Sequence, residues 1–393
     1  MVRSNKYLSF IAIALLIFFA YVSYGVQGMQ QTALWIAVPG SFILAFLAIP
    51  RKELSLYVKY ILLLYLWIAF TFIFAFDQKI ASNHLQRLLG CFVMIYVFGL
   101  LAKDNKLVPW LYIVFIVYYL GMLWYANNNI LIDFYDYTED RMDDNKLGAN
   151  TVAYFTFFTT FIIYIMDICA TKQILRKLFR ILFLLTPFLS FMIAILTASR
   201  QVFVIQIPLV LLLMYIRYFR NSKGDRKILF IVGSILLVML LGTSVVNIYS
   251  DSSLGRRNEL DVSGDSRIRL LAKAMEIGAD HPVVGVGPGN FGKYAYGKNS
   301  AISHCTYTEL FANSGLPALV IFVSLLFVFL SRQWKRYKKT KDTSFLAFSL
   351  FGIMYIIDNI FYVFYSSPWL ITFFILVATH SDNIYYNYKC YNS

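Results

Sequence analysis

The sequence predicts an all-α polytopic membrane protein, with about twelve transmembrane helices and one long extracytoplasmic loop containing short helices. Three observations predict it. The chain of 393 residues is 59% hydrophobic and 14% charged, whereas a soluble domain is about 45–50% apolar and about 25% charged. Its mean hydropathy is +0.64. The apolar residues form continuous runs of helix length, and Lys and Arg fall mostly in every second gap between them. An ordinary soluble enzyme, a disordered chain and a secreted disulfide scaffold are all excluded by these features.

The runs lie near 8–26, 32–49, 57–76, 87–102, 108–126, 150–170, 180–198, 201–216, 228–247, 313–331, 345–363 and 368–381. Backbone polar groups in lipid must be paired within the segment, so the runs are helices. They lack the ten-residue alternation of a membrane barrel. The first run follows Met1–Tyr7 without an A-x-A-like cleavage site, so it reads as a span and not as a signal peptide. The whole chain, 1–393, then forms one integral membrane domain, with 248–312 as its long outer loop.

Charge sets the orientation. With the N-terminus inside, the termini and inner loops carry 23 Lys and Arg, and the short outer loops carry 5. Cytoplasmic loops retain Lys and Arg, while long loops are exempt. Both termini are therefore expected in the cytoplasm, and 248–312 outside. The net charge of +14 reports this topology and not a nucleic-acid partner. The four cysteines contain no CxxC pair and suggest neither a zinc nor a disulfide framework.

Two outer segments have distinct character. Residues 127–149 are acidic, with Asp133, Asp136, Glu139, Asp140, Asp143 and Asp144, which reads as a solvated, acceptor-contacting or cation-binding loop. Residues 248–312 carry most of the motifs. Asp265 can cap a helix over 266–277 that ends before Gly278. Arg267 and Arg269 are two positions apart on it and point in roughly opposite directions. Gly285, Gly287 and Gly289 then let the backbone pass close to a ligand or another helix. Ser303-His304-Cys305-Thr306-Tyr307-Thr308-Glu309-Leu310 leads to Asn313-Ser314-Gly315-Leu316-Pro317, the start of the next span.

Arg200, in Thr197-Ala198-Ser199-Arg200-Gln201, lies between two apolar runs with almost no loop. An arginine there needs a partner, a wet cavity or a path to the interface. Arg87, at the start of its run, reads as an interfacial snorkeller. His84, His281 and His304 all fall outside, but their spacing has no zinc signature.

These pieces in this order resemble the O-antigen ligase and polysaccharide polymerase superfamily of bacterial envelope proteins. The resemblance rests on Ser199-Arg200, Gly264-Asp265-Ser266-Arg267, Pro282-x-x-Gly285-x-Gly287-x-x-x-Phe291, and His304-x-x-Tyr307-x-Glu309-Leu310. Locally it runs from about 197 to 325. This chain departs from the family pattern at Cys305, where asparagine is usual, and at Leu271, where an aromatic is usual.

The resemblance implies a multi-pass enzyme of the bacterial plasma membrane. Such an enzyme moves a glycan from an undecaprenyl diphosphate carrier to an acceptor sugar hydroxyl in capsule, exopolysaccharide or O-antigen synthesis. Its key positions map onto Arg200, Arg267 and His304, with Tyr307, Glu309 and Arg269 as further substrate contacts. Arginines would stabilise the departing diphosphate, and neutral histidine would take the acceptor proton. No metal and no cofactor are then expected. Arg200, Arg267 and His304 should converge on one outward cavity. The partners implied are the lipid-linked donor, a glycan or lipid-linked acceptor, and the bilayer, with a chain-length regulator or flippase as further candidates. The outer loops carry no recognisable module for a lipid A core, which favours a polymerase over a ligase. A multi-span transporter or flippase is the competing class. It would be expected to show repeated halves and mid-membrane charges, and the sequence shows no repeat.

Overall fold

The computed structural model describes residues 5–25, 30–50, 53–129, 149–170, 172–197, 205–220, 224–225, 227–228, 231–233, 266–297 and 302–392. Every regular element among them is helical: α1 Lys6–Gly25, α2 Gln30–Ala48, α3 Leu56–Thr71, α4 Gln78–Leu101, α5 Val108–Asn129, α6 Ala149–Cys169, α7 Gln173–Thr197, α8 Ile207–Met214, α9 Ser266–Asp280, α10 Phe291–Tyr296, α11 Thr306–Thr340, α12 Thr343–Phe361 and α13 Pro368–Asn392. Seven helices among the described residues are long and apolar enough to cross a membrane, and shorter apolar helices cover Ile36–Ala48 and Ile207–Phe219. The expected run 228–247 and the acidic loop 127–149 lie largely outside the described residues, as does the first part of the 248–312 loop.

The helix surfaces suit a lipid solvent. On α3, Tyr57, Val58, Ile61, Leu64, Tyr65 and Ile68 are buried at helical spacing, while Leu63, Leu66 and Phe70 on the other side are about half exposed. Exposed leucine and phenylalanine at that density would be an association hazard in water. Against acyl chains they cost nothing.

The described residues form two compact units. The first comprises Met1–Phe19, Gln31–Val114 and Val262–Ser393; the second comprises Ala20–Gln30 and Phe115–Asp261. In the first unit α11 packs on α3, α9 and α12, and α4 packs on α13. One end of this unit is basic. There Arg336, 5% exposed, donates to Ser381 Oγ at 2.9 Å and to Asp382. The Tyr57 hydroxyl also donates to Asp382. The opposite end collects the loops at 72–77, 281–290, 302–305 and 362–367.

Helix α4 starts earlier than its apolar run. Asp77 caps it, accepting from the Lys79 and Ile80 amides at 3.0 and 3.1 Å. Two polar turns then precede Leu88, so the gap between the expected runs 57–76 and 87–102, read as an outer loop by its low hydropathy, is helix. Capping and packing override low hydropathy here, because a polar helix face is tolerated where it borders other protein. Helix α11 is broken at Gly315, whose φ of 76° and ψ of −178° are not helical. Residues 316–340 match the expected span start, and 306–314 form a short helix ahead of it.

In the second unit α6 packs on α7 and α8. Its fixed point is buried Asp167 on α6, which accepts from Arg217 Nε at 2.6 Å and from the Tyr218 hydroxyl at 3.2 Å. Removing one partner of a buried ion pair leaves an uncompensated charge and costs about 3–5 kcal/mol. Arg217→Met is therefore expected to lower the thermal midpoint of the detergent-solubilised protein markedly. Arg217→Met combined with Asp167→Leu should recover much of the loss. A single variant as stable as wild type would contradict this role.

Candidate functional site

The site is built on a glycine-rich turn held against a broken helix. Residues 282–290 follow α9 and fold back over the break in α11. The Val286 and Gly287 amides donate to the Ala312 and Asn313 carbonyls at 2.9 Å each, and the Leu316 amide donates to the Pro282 carbonyl at 2.7 Å. The Asn313 side chain ties the halves together, its Oδ1 accepting from the Phe291 amide at 2.7 Å. Beneath the turn, Ala274, Ile277, Val286, Phe291 and Ala312 form a small core.

The glycines are explained by close approach to protein. A Cβ on Gly285 would lie 2.4 Å from the Asn313 carbonyl carbon, and one on Gly287 would lie 2.4 Å from Ala75 Cα. Both have positive φ, a conformation glycine adopts without steric cost. The far side of the turn is pinned to the start of α4. Asn290 Oδ1 accepts from the Asp77 amide at 3.0 Å, and the Phe76 amide donates to the Val286 carbonyl at 2.9 Å.

His304 sits in the segment that enters α11. It is half-buried and has a left-handed backbone, φ 58°, a region in which histidine is several-fold enriched among non-glycine residues. Both neighbours of His304 are locked. The Ser303 amide donates to Glu309 Oε2 at 2.6 Å, and the Ser303 hydroxyl donates to the Cys305 carbonyl at 3.0 Å. Cys305 occupies the cap position of α11 but forms no side-chain capping bond. At the next residue, the Thr306 hydroxyl donates to the Tyr362 carbonyl at 3.0 Å and accepts from the Phe364 amide at 2.9 Å. The histidine backbone is thus held from three sides.

A cavity of about 500 Å³ opens beside this segment. It is lined by one face of α4, by Gly289, Ile302 and Glu309, and by the 362–368 loop. The α4 face comprises Ile80, Asn83, His84 and Arg87, an i, i+3, i+4, i+7 set. His84 Nε2 lies 3.3 Å from the Tyr365 hydroxyl. Burial, followed by the nearby Glu309 charge, pushes the Tyr365 hydroxyl pKa upward, so it remains an O–H group. Arg87, read from the sequence as a snorkeller, belongs to this lining.

Residues 185–323 match a protein family described as O-antigen ligase. That segment is similar to the O-antigen ligase family. The match supports membership of the O-antigen ligase and polysaccharide polymerase superfamily, and with the apolar helices it indicates a multi-pass membrane protein. A search of curated proteins gives no match.

The matched segment includes all six residues of the predicted site. Of its residues, His304 precedes α11, and Arg267 lies half-buried in the first turn of α9, with Arg269 exposed beside it. Arg200 lies outside the described residues. Glu309 has both carboxylate oxygens engaged, by the Ser303 amide and by Asn313 Nδ2 at 2.9 Å. The Tyr307 hydroxyl donates to the Ile356 carbonyl at 2.9 Å. These two side chains therefore hold the protein segment that carries His304. His281 Nε2 lies 3.1 Å from the Tyr294 hydroxyl. Among the described residues no group of three or more His, Cys, Asp or Glu side chains could hold a metal ion.

Sequence reasoning missed Asn290 and Asn313, which clamp the glycine turn, and the cavity face of α4. The spacing of Ile80, Asn83, His84 and Arg87 was the available signal. It was hidden because hydropathy assigned 77–87 to a loop.

Proposed function

We propose that the protein is a membrane glycosyltransferase of the O-antigen ligase and polymerase type. It moves a glycan from an undecaprenyl diphosphate carrier to an acceptor sugar hydroxyl at the outer face of the bacterial plasma membrane. The observation that carries this reading is the O-antigen ligase match over 185–323, which includes Arg200, Arg267 and His304. The buttressed left-handed backbone at His304 supports it, because a general base must be held in place.

In this reading the acceptor oxygen attacks the anomeric carbon while His304 takes its proton. The bond from that carbon to the diphosphate oxygen breaks, and the electron pair leaves with the lipid diphosphate. Arg200 and Arg267 hold the leaving group with permanent charge and forked donors. Arg269 is a further substrate contact in this reading, and Tyr307 and Glu309, the other expected contacts, hold the segment that carries His304. The loop end of the first unit faces outward and the basic end faces the cytoplasm, as the Lys and Arg distribution favours. The count of about twelve spans, a single domain over 1–393 and both termini inside belong to this reading. The polymerase form is favoured because no acceptor module for a lipid A core is recognisable in the outer loops.

Deletion of the gene in its host, followed by gels of surface polysaccharide and of the lipid-linked pool, tests the reading. A polymerase leaves stalled single repeat units, and a ligase leaves long chains on the carrier. An unchanged glycan profile, with no redundant homologue, would sink it. Transfer by the purified protein is expected to continue undiminished in chelator; loss of activity restored by one divalent metal would contradict the arginine-based mechanism. Direct displacement also requires inversion at the anomeric carbon, readable by NMR of the product.

A further inference from the structure

The cavity beside the His304 segment has a chemistry of its own. Its α4 face, Asn83, His84 and Arg87, lies outside the segment matched to the ligase family. Opposite stand the 362–368 loop, with a half-exposed Tyr362 and the hydroxyls of Ser366 and Ser367. A volume near 500 Å³ falls within the roughly 300–1,000 Å³ of small-molecule sites. Amide, hydroxyl and aromatic groups in such a cavity suit a sugar.

The charges make the choice of sugar more specific. Besides Arg87 and the tyrosine hydroxyls of Tyr362 and Tyr365, which are neutral near pH 7, the ionisable side chains bordering the cavity are His84 and Glu309. Both oxygens of Glu309 are bound within the protein, and His84 faces the Tyr365 hydroxyl. Arg87 is exposed and forms no ion pair among the described residues. Its forked N–H groups match one planar carboxylate bidentately. A diphosphate would bring at least two negative charges to one guanidinium, in a wall that also holds a carboxylate. A singly charged group matches better.

We propose that this cavity is a recognition subsite for a carboxylate-bearing sugar of the glycan substrate, with Arg87 as the specificity-determining residue and Asn83, Ser366 and Ser367 as hydroxyl partners. It rests on the glycan-transfer reading for the source of the ligand. Its binding test requires no turnover, so the two can fail separately.

Saturation-transfer NMR on the full chain in detergent micelles makes the test, with methyl glucuronide and its neutral twin methyl glucoside as probes. Wild type is expected to bind the glucuronide at least tenfold more tightly. Arg87→Gln should erase that preference, and Arg87→Lys, which keeps the charge without the fork, should fall between. Unchanged thermal midpoints show that the variants are folded. Equal binding of both sugars by wild type overturns the proposal, as does an Arg87→Gln protein that keeps the preference. Displacement of the glucuronide by inorganic phosphate or phosphatidylglycerol as efficiently as by glucuronide itself also overturns it, assigning the cavity to a general anion or a lipid headgroup.

Discussion

His304→Asn is expected to reduce glycan transfer about 10²–10⁴-fold, the usual contribution of a positioned general base, with little change in stability. Asparagine is the informative substitution. His304 has φ 58°, and asparagine tolerates the left-handed region whereas alanine does not. Asparagine keeps a polar side chain but cannot accept a proton near neutral pH. Loss of activity in His304→Ala alone could arise from backbone strain in a segment pinned by Ser303 and Glu309. Loss in both variants, with an unchanged thermal midpoint for His304→Asn, assigns the effect to proton transfer. Transfer assays with a lipid-linked donor provide the readout. A His304→Asn enzyme within threefold of wild type would remove the histidine from the mechanism.

Gly315→Ala is expected to have the largest structural effect of any single methyl addition in the site. The backbone there, φ 76° and ψ −178°, lies in a region essentially restricted to glycine, and strain of this kind costs about 1–3 kcal/mol. The added Cβ would also fall 2.0 Å from the Val283 carbonyl oxygen, so the turn at 282–290 must shift. The Leu316 amide bond to Pro282 and the Asn313 bond to Phe291 would be lost with it. Limited proteolysis should show new cleavage between α9 and α10, and activity should fall with it. Gly297→Ala is the control. Its φ is also positive, at 68°, but among the described residues no atom lies within 4 Å of the added Cβ, so the strain dominates, about 1–2 kcal/mol. If the two variants were equally stable and equally protected, the close packing of the turn on α11 would not matter.

These expectations show how unevenly the site was legible. The glycines were marked by spacing alone as places where backbone passes close to something. Whether that neighbour was ligand or protein depended on residues 28 positions later and some 200 positions earlier, Asn313 and Ala75, and no local pattern connects them. Glu309 and Tyr307 stood out by their place in a motif, which says nothing about orientation. Both direct their polar atoms at the protein. Arg87 looked like an interfacial side chain because hydropathy averages over a window. The Asp77 cap converts that window into helix and gives Arg87 a cavity to face.

Length, composition and the helix-length apolar runs determined the class of this protein by themselves, because a bilayer tolerates few solutions for a chain 59% hydrophobic. The order of the motifs marked the family segment and its candidate histidine and arginines. Tertiary structure alone decided what the glycine turn touches, where α4 begins, how Ser303 and Glu309 hold the backbone at His304, and which face of α4 lines a cavity. Those features depend on contacts between residues far apart in the chain. A side chain's hydrogen-bond partner or a clash at a missing Cβ exists only once the helices have packed.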